Sequence, residues 1–191
     1  GAVLEMPTDF VRPATFTHRA LNQLLSFPAG TSQLISGFAQ QHRATAFAVV
    51  QAALQVFLSR YSGLNSFFVG SPFSGRSHRE YESTVGFFVN MLPLKADLEG
   101  QPSFAELVRR TTSTLTDALQ NEGYPISQIV QDAQLSRDPS RSPLFQVSCT
   151  FEKSHVKSEV GRASFLFPPE FDEPQVWSFG GLRQESFYIP H

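Results

Sequence analysis

The sequence has one cysteine, no two histidines close together in the chain, and no long apolar run. A single cysteine excludes an internal disulfide and a cysteine-based metal cluster, and it predicts a reducing, cytoplasmic compartment. No apolar stretch approaches the ~18 residues that a membrane span needs. The charges, 15 Lys+Arg against 17 Asp+Glu, form no basic patch, so we predict neither a nucleic-acid partner nor a membrane partner.

Several motifs for catalysis or cofactor binding are also missing. The chain has no Gly-x-Gly-x-x-Gly, no P-loop, no Gly-x-Ser-x-Gly and no His-x-x-x-His, which excludes their usual nucleotide, nucleophile and metal sites. Cys149 lies on the apolar side of an alternating stretch, which predicts a buried, inert thiol. The carboxylates are scattered, and no catalytic pair can be picked out.

The 191 residues include 41% hydrophobic side chains and 19 phenylalanines, enough for one globular core rich in aromatic contacts. Apolar spacing predicts an α/β fold, a mixed β-sheet with flanking helices. Thr31 or Ser32, Thr45 and Ser103 are predicted to begin helices, and Gly63 and Gly123 to end them. The predicted order is strand 15–20, helix 31–43, helix 46–61, strand 66–70, loop 71–84, strand 87–98, a helix from Ser103, a short helix from Pro125, loop 136–143, strand 145–151, surface loop 153–174, and a hairpin at Gly180-Gly181.

Three polar features remain, and each has a structural interpretation. The loop Gly70–Arg76 either is a turn in which Arg76 forms an ion pair or lines a ligand channel. Asn90 lies in phase with Phe88, Leu92, Leu94, Ala96 and Leu98, so its amide needs hydrogen-bond partners. In the segment 137–143, Asp138 either caps a turn beside paired arginines or belongs to a functional motif. Taken one at a time, each feature favours the structural interpretation.

Taken in order, the three features resemble the motifs of one enzyme family. The stretches that carry the likeness are LEMPTDFVRP, VGSPFSGRSHREYESTVGFFVNMLPLKADL, PSFAELVRRT and RDPSRSPLFQV. Together they resemble the C-terminal half of the condensation domains of nonribosomal peptide synthetases. The resemblance covers nearly the whole chain, and the ordered set is far more specific than any single motif.

The resemblance implies a fold, a domain organisation and a parent reaction. It implies a chloramphenicol-acetyltransferase-like single lobe, with residues 1–14 as an extended inter-lobe linker and residues 15–191 as a C-terminal lobe, incomplete at its C-terminus. The parent domain would join a carrier-bound donor acyl thioester to a carrier-bound acceptor amine. The family's His-His-x-x-x-Asp-Gly motif is absent from this sequence. We therefore expect no catalytic residue in this chain and no activity from it alone.

The resemblance also implies site residues and partners. No cofactor is expected to bind directly, because substrates arrive on phosphopantetheine arms. The expected partners are the N-terminal lobe, peptidyl or acyl carrier proteins, and neighbouring adenylation or ketosynthase domains. The expected tunnel-wall and floor-loop residues are Ser74, Gly75, Arg76, Gly86, Phe88 and Asn90. The expected structural motif is Asp138, Ser140, Arg141 and Pro143.

The chain departs from the family pattern at a few positions. Lys95 replaces the usual arginine, Phe10-Val11 replaces Arg-Pro, and Tyr124-Pro125-Ile126 replaces the more usual Pro-Phe. Two alternatives stay open: a lobe of a related acyltransferase that acts on alcohols, and a module that binds a carrier protein without catalysis. The identities of the donor and acceptor are left open by the sequence.

Overall fold

The computed structural model covers two compact units, residues 1–150 and 151–191. No helix in its described ranges is both long and apolar enough to cross a membrane. Residues 18–20 of the predicted strand 15–20 and all of the predicted loop 153–174 lie outside those ranges, and residues 15–17 are not part of a strand. The described residues are 3–17, 21, 23, 27–28, 30–76, 79–81, 84–135 and 138–151, with the backbone of 175–179 and 182–186.

The observed elements follow the predicted order. In the second unit, Phe179 faces Leu182 across an antiparallel pair, which confirms the predicted hairpin. A short 3-10 turn also occurs at Arg79–Tyr81. The helices and strands of the described residues are α1 (Thr31–Gln41), α2 (Ala46–Ser62), β1 (Ser66–Phe73), β2 (Asn90–Asp97), α3 (Phe104–Gln120), α4 (Ile126–Asp132), β3 (Gln175–Phe179) and β4 (Leu182–Ser186).

Side-chain caps explain where two of these four helices begin. The side chains of Thr45 and Ser103 accept hydrogen bonds from the backbone N–H groups three residues later, as predicted. The predicted cap of α1 is wrong: Gly30, at φ 89°, occupies the N-cap, and the Thr31 hydroxyl donates to the Pro28 carbonyl instead. The predicted stop at Gly123 is also wrong, because α3 ends at Gln120.

Strands β1 and β2 pair antiparallel, with Gly70 opposite Pro93. The N–H and C=O of Gly70 point away from β2, to the Val147 carbonyl and the Cys149 N–H. Gly70–Pro93 is therefore a pair without mutual hydrogen bonds, and the proline nitrogen faces the outer edge of β2, as predicted for this residue. The nitrogen of Pro72 also points away from β2, because Pro72 lies two residues after Gly70. β1 therefore continues to Phe73, whereas the sequence predicted that it ends at Gly70.

The predicted strand 145–151 is reduced to one parallel bridge, between Gly70 and Ser148. The Ser71 hydroxyl adds a hydrogen bond to the Cys149 carbonyl at 2.8 Å. β1 therefore pairs antiparallel with β2 on one side and makes a single parallel bridge on the other. Cys149 is half-buried, and burial raises the pKa of its thiol, so the thiol form is favoured at neutral pH.

The core of the first unit lies between the sheet and the helices. It contains three apolar clusters, centred on Phe67 and Val69, on Leu107 and Val108, and on Leu94. Leu4, from the segment predicted to be a linker, is buried in the first of them. The extended N-terminal segment is thus part of this unit's packing.

Candidate functional site

The loop between β1 and β2 folds back on itself at Gly75. This residue has φ 62°, a left-handed conformation that favours glycine. A Cβ at this position would lie 2.0 Å from the carbonyl oxygen of Phe88. Only a residue without a side chain lets the two ends of the loop come this close.

Arg76 holds the loop closed through main-chain contacts. Its guanidinium donates to the carbonyls of Tyr81, Thr84 (2.8 Å) and Gly86 (3.2 Å). It also lies 4.4 Å from the ring centroid of Phe88, a cation–π contact. We call this group of five residues the Arg76 clamp. In the described chain, the guanidinium of Arg76 contacts main-chain carbonyls and one aromatic ring. These contacts replace the interpretation of Arg76 as an ion-pair partner.

The clamp turns two apolar side chains outward. Val85 is 100% exposed and Phe87 is 89% exposed, although both belong to the apolar run around Asn90. Phe88 was expected on the strand, but β2 begins only at Asn90, and Phe88 stacks on Tyr81 instead. The loop therefore presents a fixed apolar surface.

Asn90 joins the start of β2 to the connection between α3 and α4. Its Nδ2 donates to the carbonyls of Glu122 (2.8 Å) and Tyr124 (2.9 Å), and its Oδ1 accepts from the N–H of Ile126 (3.3 Å). The amide thus satisfies the main chain on both sides of Pro125, which has no N–H. The prediction that this amide is hydrogen-bonded is confirmed.

A groove of about 550 Å³ lies beside this connection. The hydroxyl of Tyr124, one of its lining residues, donates to the Asp132 carboxylate, and this hydrogen bond raises the pKa of Tyr124. Sequence reasoning missed this pair, because eight residues separate its members and neither stands in a motif. The groove is lined by Leu92, Pro93, Lys95, Thr114, Asp117, Ala118, Asn121, Tyr124 and Ile129.

The segment around Asp138 joins the N-terminal segment to the sheet. Asp138 Oδ1 accepts from the N–H (2.8 Å) and the hydroxyl (2.6 Å) of Ser140, which confirms that this carboxylate caps a turn. Arg141 lies 2.8 Å from Asp138 Oδ2 and 2.6 Å from Glu5. Nearby, the Phe16 N–H donates to the Pro139 carbonyl.

The same contacts shift two pKa values. The hydrogen bonds from Ser140 and the charge of Arg141 hold the pKa of Asp138 below its ordinary value of 3.8, and Glu5 raises the pKa of Arg141. Pro143 lines a hollow together with Val130, Asp138 and Pro139. Asp138, Ser140 and Arg141 therefore form one bonded group, and it is distinct from the Arg76 clamp.

Replacing Asp138 by asparagine should lower the melting temperature by a few degrees at pH 7. The folded-state pKa of this carboxyl is depressed, so its stabilisation is present above pH 3.8 and is lost as the pH falls through the folded pKa. The difference between wild type and Asp138→Asn should therefore shrink below pH 3.8. Thermal unfolding at several pH values measures this difference in melting temperature. The control is Asp9→Asn, at an exposed aspartate. A difference that stays constant with pH would contradict the assignment.

A comparison with known protein families identifies the family of this chain. A family model described as "Condensation domain" matches residues 1–171. The chain belongs to the condensation domain family. Membership confirms the resemblance of the ordered motifs.

Relatives of known identity contain condensation domains of nonribosomal peptide synthetases. One linear gramicidin synthase protein of Brevibacillus parabrevis is 39% identical over 176 residues, which is 92% of this chain and 2% of that protein. Phosphinothricin tripeptide synthetase PhsB of Streptomyces viridochromogenes is 35% identical over 152 residues, 80% of this chain and 13% of that protein. The chain thus spans a small part of the curated relatives it matches.

Solved structures confirm the fold class. A four-domain nonribosomal peptide synthetase, bound to AMP and glycine, superposes with a TM-score of 0.83 over 98% of this chain and 14% of its own, at 22% identity. The X-domain from teicoplanin biosynthesis superposes with a TM-score of 0.71 at 28% identity, over 76% of this chain and 32% of its own. This condensation-domain chain therefore has the chloramphenicol-acetyltransferase-like α/β fold expected for it.

Proposed function

We propose that this chain is the C-terminal lobe of a condensation domain in a nonribosomal, or hybrid polyketide–peptide, synthetase. Residues 1–14 are the inter-lobe linker in this proposal, and residues 15–191 are the lobe. The chain aligns with 32% of the solved X-domain chain, which fits one lobe of a larger domain. The bonds of Leu4 and Glu5 to the segment 138–146 fit a linker that starts on this lobe.

The apolar surface at Val85 and Phe87 is the observation that carries the proposal. Burying one such side chain contributes about 1.5–3 kcal/mol, so leaving two of them in water forgoes a substantial stabilisation. The Arg76 clamp fixes the main chain on either side of Val85, which prevents both side chains from folding back. A surface held open in this way suits a companion lobe that covers it.

The parent reaction is amide formation. The acceptor amine attacks the carbonyl carbon of the donor thioester, a C–N bond forms, the C–S bond breaks, and the donor carrier's thiol and a proton are released. A group that handles the proton and a stabilised oxyanion are needed for such a step. This chain has no His-His-x-x-x-Asp-Gly motif, so the proton-handling group belongs to the companion lobe.

In this proposal the lobe contributes walls and a docking surface. Ser74, Gly75 and Arg76 form the floor loop, while Gly86, Phe88 and Asn90 belong to the tunnel wall. Carrier proteins deliver both substrates on phosphopantetheine arms, and adenylation or ketosynthase domains are neighbours in the same cytoplasmic assembly. The product is a peptide-type secondary metabolite.

An activity assay with loaded carrier proteins tests the proposal. We expect no amide product from this chain alone, and product when the chain is joined to its N-terminal lobe. In that whole domain, Phe87→Asp should reduce the rate at least about tenfold, because a charge then lies in the inter-lobe surface. The matched control is Phe57→Asp, at an exposed phenylalanine of α2.

Two results would overturn the proposal. One is amide formation by this chain alone, which would require a catalytic group among its own residues. The other is an unchanged rate in Phe87→Asp together with unchanged affinity between separately expressed lobes. Mass spectrometry of the carrier-bound product gives the first readout, and calorimetry of the mixed lobes gives the second.

A second candidate is binding of a partner protein without catalysis. It is favoured by the absence of the catalytic motif and by the likeness to the X-domain, which has been solved in complex with OxyB. Binding of a carrier protein to the whole domain, with no amide formed from loaded substrates, would select this alternative.

A further inference from the structure

Three buried polar side chains lie between the apolar clusters of the core. Gln51 and Gln55 of α2 are 0% and 1% exposed, and Thr111 of α3 is 3% exposed. The two glutamines are four residues apart and lie on one face of their helix. On α3, Thr111 separates the cluster that contains Leu107 from the cluster that contains Leu115. We call these three residues the polar seam.

Only one hydrogen bond is made inside the polar seam. The Thr111 hydroxyl donates to Gln55 Oε1 at 3.1 Å. Gln51 Nε2, Gln51 Oε1 and Gln55 Nε2 have no partner among the described residues. Buried polar groups are nearly always paired, because each one left unpaired costs about 1–3 kcal/mol. Three such atoms on one helix face need a common explanation.

The chemistry of the unpaired atoms defines what would satisfy them. Gln51 Oε1 requires a donor, whereas the two Nε2 groups require acceptors. An anion would satisfy only the amide nitrogens, and a cation only the oxygen. A small neutral molecule that can both donate and accept satisfies all three atoms. Water has these properties, and internal waters commonly join two to four such groups.

We propose that Gln51 and Gln55 bind an internal water molecule in the interface between α2 and α3. The water accepts from the side-chain amides and donates to Gln51 Oε1, and Thr111 holds Gln55 in the orientation that this requires. This water completes a hydrogen-bonded layer inside the otherwise apolar interface between α2 and α3. Such a layer favours one register of α2 on α3, because sliding either helix would leave its members unpaired.

Nuclear magnetic resonance on the full chain tests the water directly. With ¹⁵N-labelled glutamine side chains, we expect cross-relaxation between water protons and the Gln51 amide, with the sign of a long-lived water. The exposed Gln40 of α1 is the internal reference. Absence of the signal at Gln51, or side-chain couplings that show its amide bonded to a protein carbonyl, would overturn the proposal.

A double-mutant cycle gives a second, independent readout. A shared water predicts that Gln51→Met and Gln55→Met each lower the melting temperature by about 3–8 °C, since each strands the other glutamine. The double variant should then lose clearly less than the sum of the two. The control is Gln40→Met. Additive effects, or a higher melting temperature in Gln51→Met alone, would show that no water is shared.

Discussion

Replacing Asn90 by alanine should lower the free energy of unfolding by about 2–3 kcal/mol, since three hydrogen bonds worth roughly 1 kcal/mol each are lost. For a chain of this size, the melting temperature should fall by roughly 5–10 °C. The reason is the position of the amide, which holds the main chain of Glu122, Tyr124 and Ile126 against β2. Thermal and denaturant unfolding measure the effect.

The matched control is Asn65→Ala, at an exposed asparagine just before β1 whose side chain has one weak contact of 3.4 Å. Its melting temperature should stay close to that of wild type. The condensation rate of the whole domain separates a structural role from a chemical one. A large loss of rate in Asn90→Ala with unchanged stability would contradict the structural role argued for this residue.

Gly75→Ala should open the loop between the two strands without unfolding the protein. The new Cβ would lie 2.0 Å from the Phe88 carbonyl, and the residue would keep a left-handed φ that alanine disfavours. We expect cleavage by chymotrypsin after Tyr81 and Phe87 to become about fivefold faster or more, because strain of roughly 1–3 kcal/mol raises the open population by at least that factor. Limited proteolysis followed by mass spectrometry measures it.

The control for backbone strain alone is Gly100→Ala. Gly100 has φ 76°, but nothing lies within 4 Å of its would-be Cβ. This variant should lower the melting temperature slightly and leave cleavage of the 79–88 loop unchanged. Equal cleavage of wild type and Gly75→Ala would show that the close approach to Phe88 does not hold the loop.

Local chemistry made some elements predictable from the sequence. Thr45 and Ser103 were placed correctly as caps because a cap depends on residues three positions apart. The ordered motifs indicated the family and the fold. The N-terminus of α1 was misjudged, since a threonine suggested a cap that Gly30 occupies through its backbone conformation.

Long-range partners could not be predicted in the same way. Alternation showed that Asn90 needed hydrogen bonds, but its partners are main-chain groups 32 to 36 residues away. One interpretation of Arg76 was an ion pair, whereas its hydrogen-bond partners are carbonyls, which every residue carries. Glu5 and Arg141 are 136 residues apart, and no pattern in the sequence joins them.

The pairing of Gly70 with Pro93 has a consequence for aggregation. Pro93 removes an N–H from the outer edge of β2, where the described chain has no further strand, and Lys95 stands exposed two residues later. An unprotected strand edge templates cross-β assembly with other copies of the chain. This edge instead offers a broken ladder and a positive charge, so we expect it to resist fibril-like growth when the chain is produced alone.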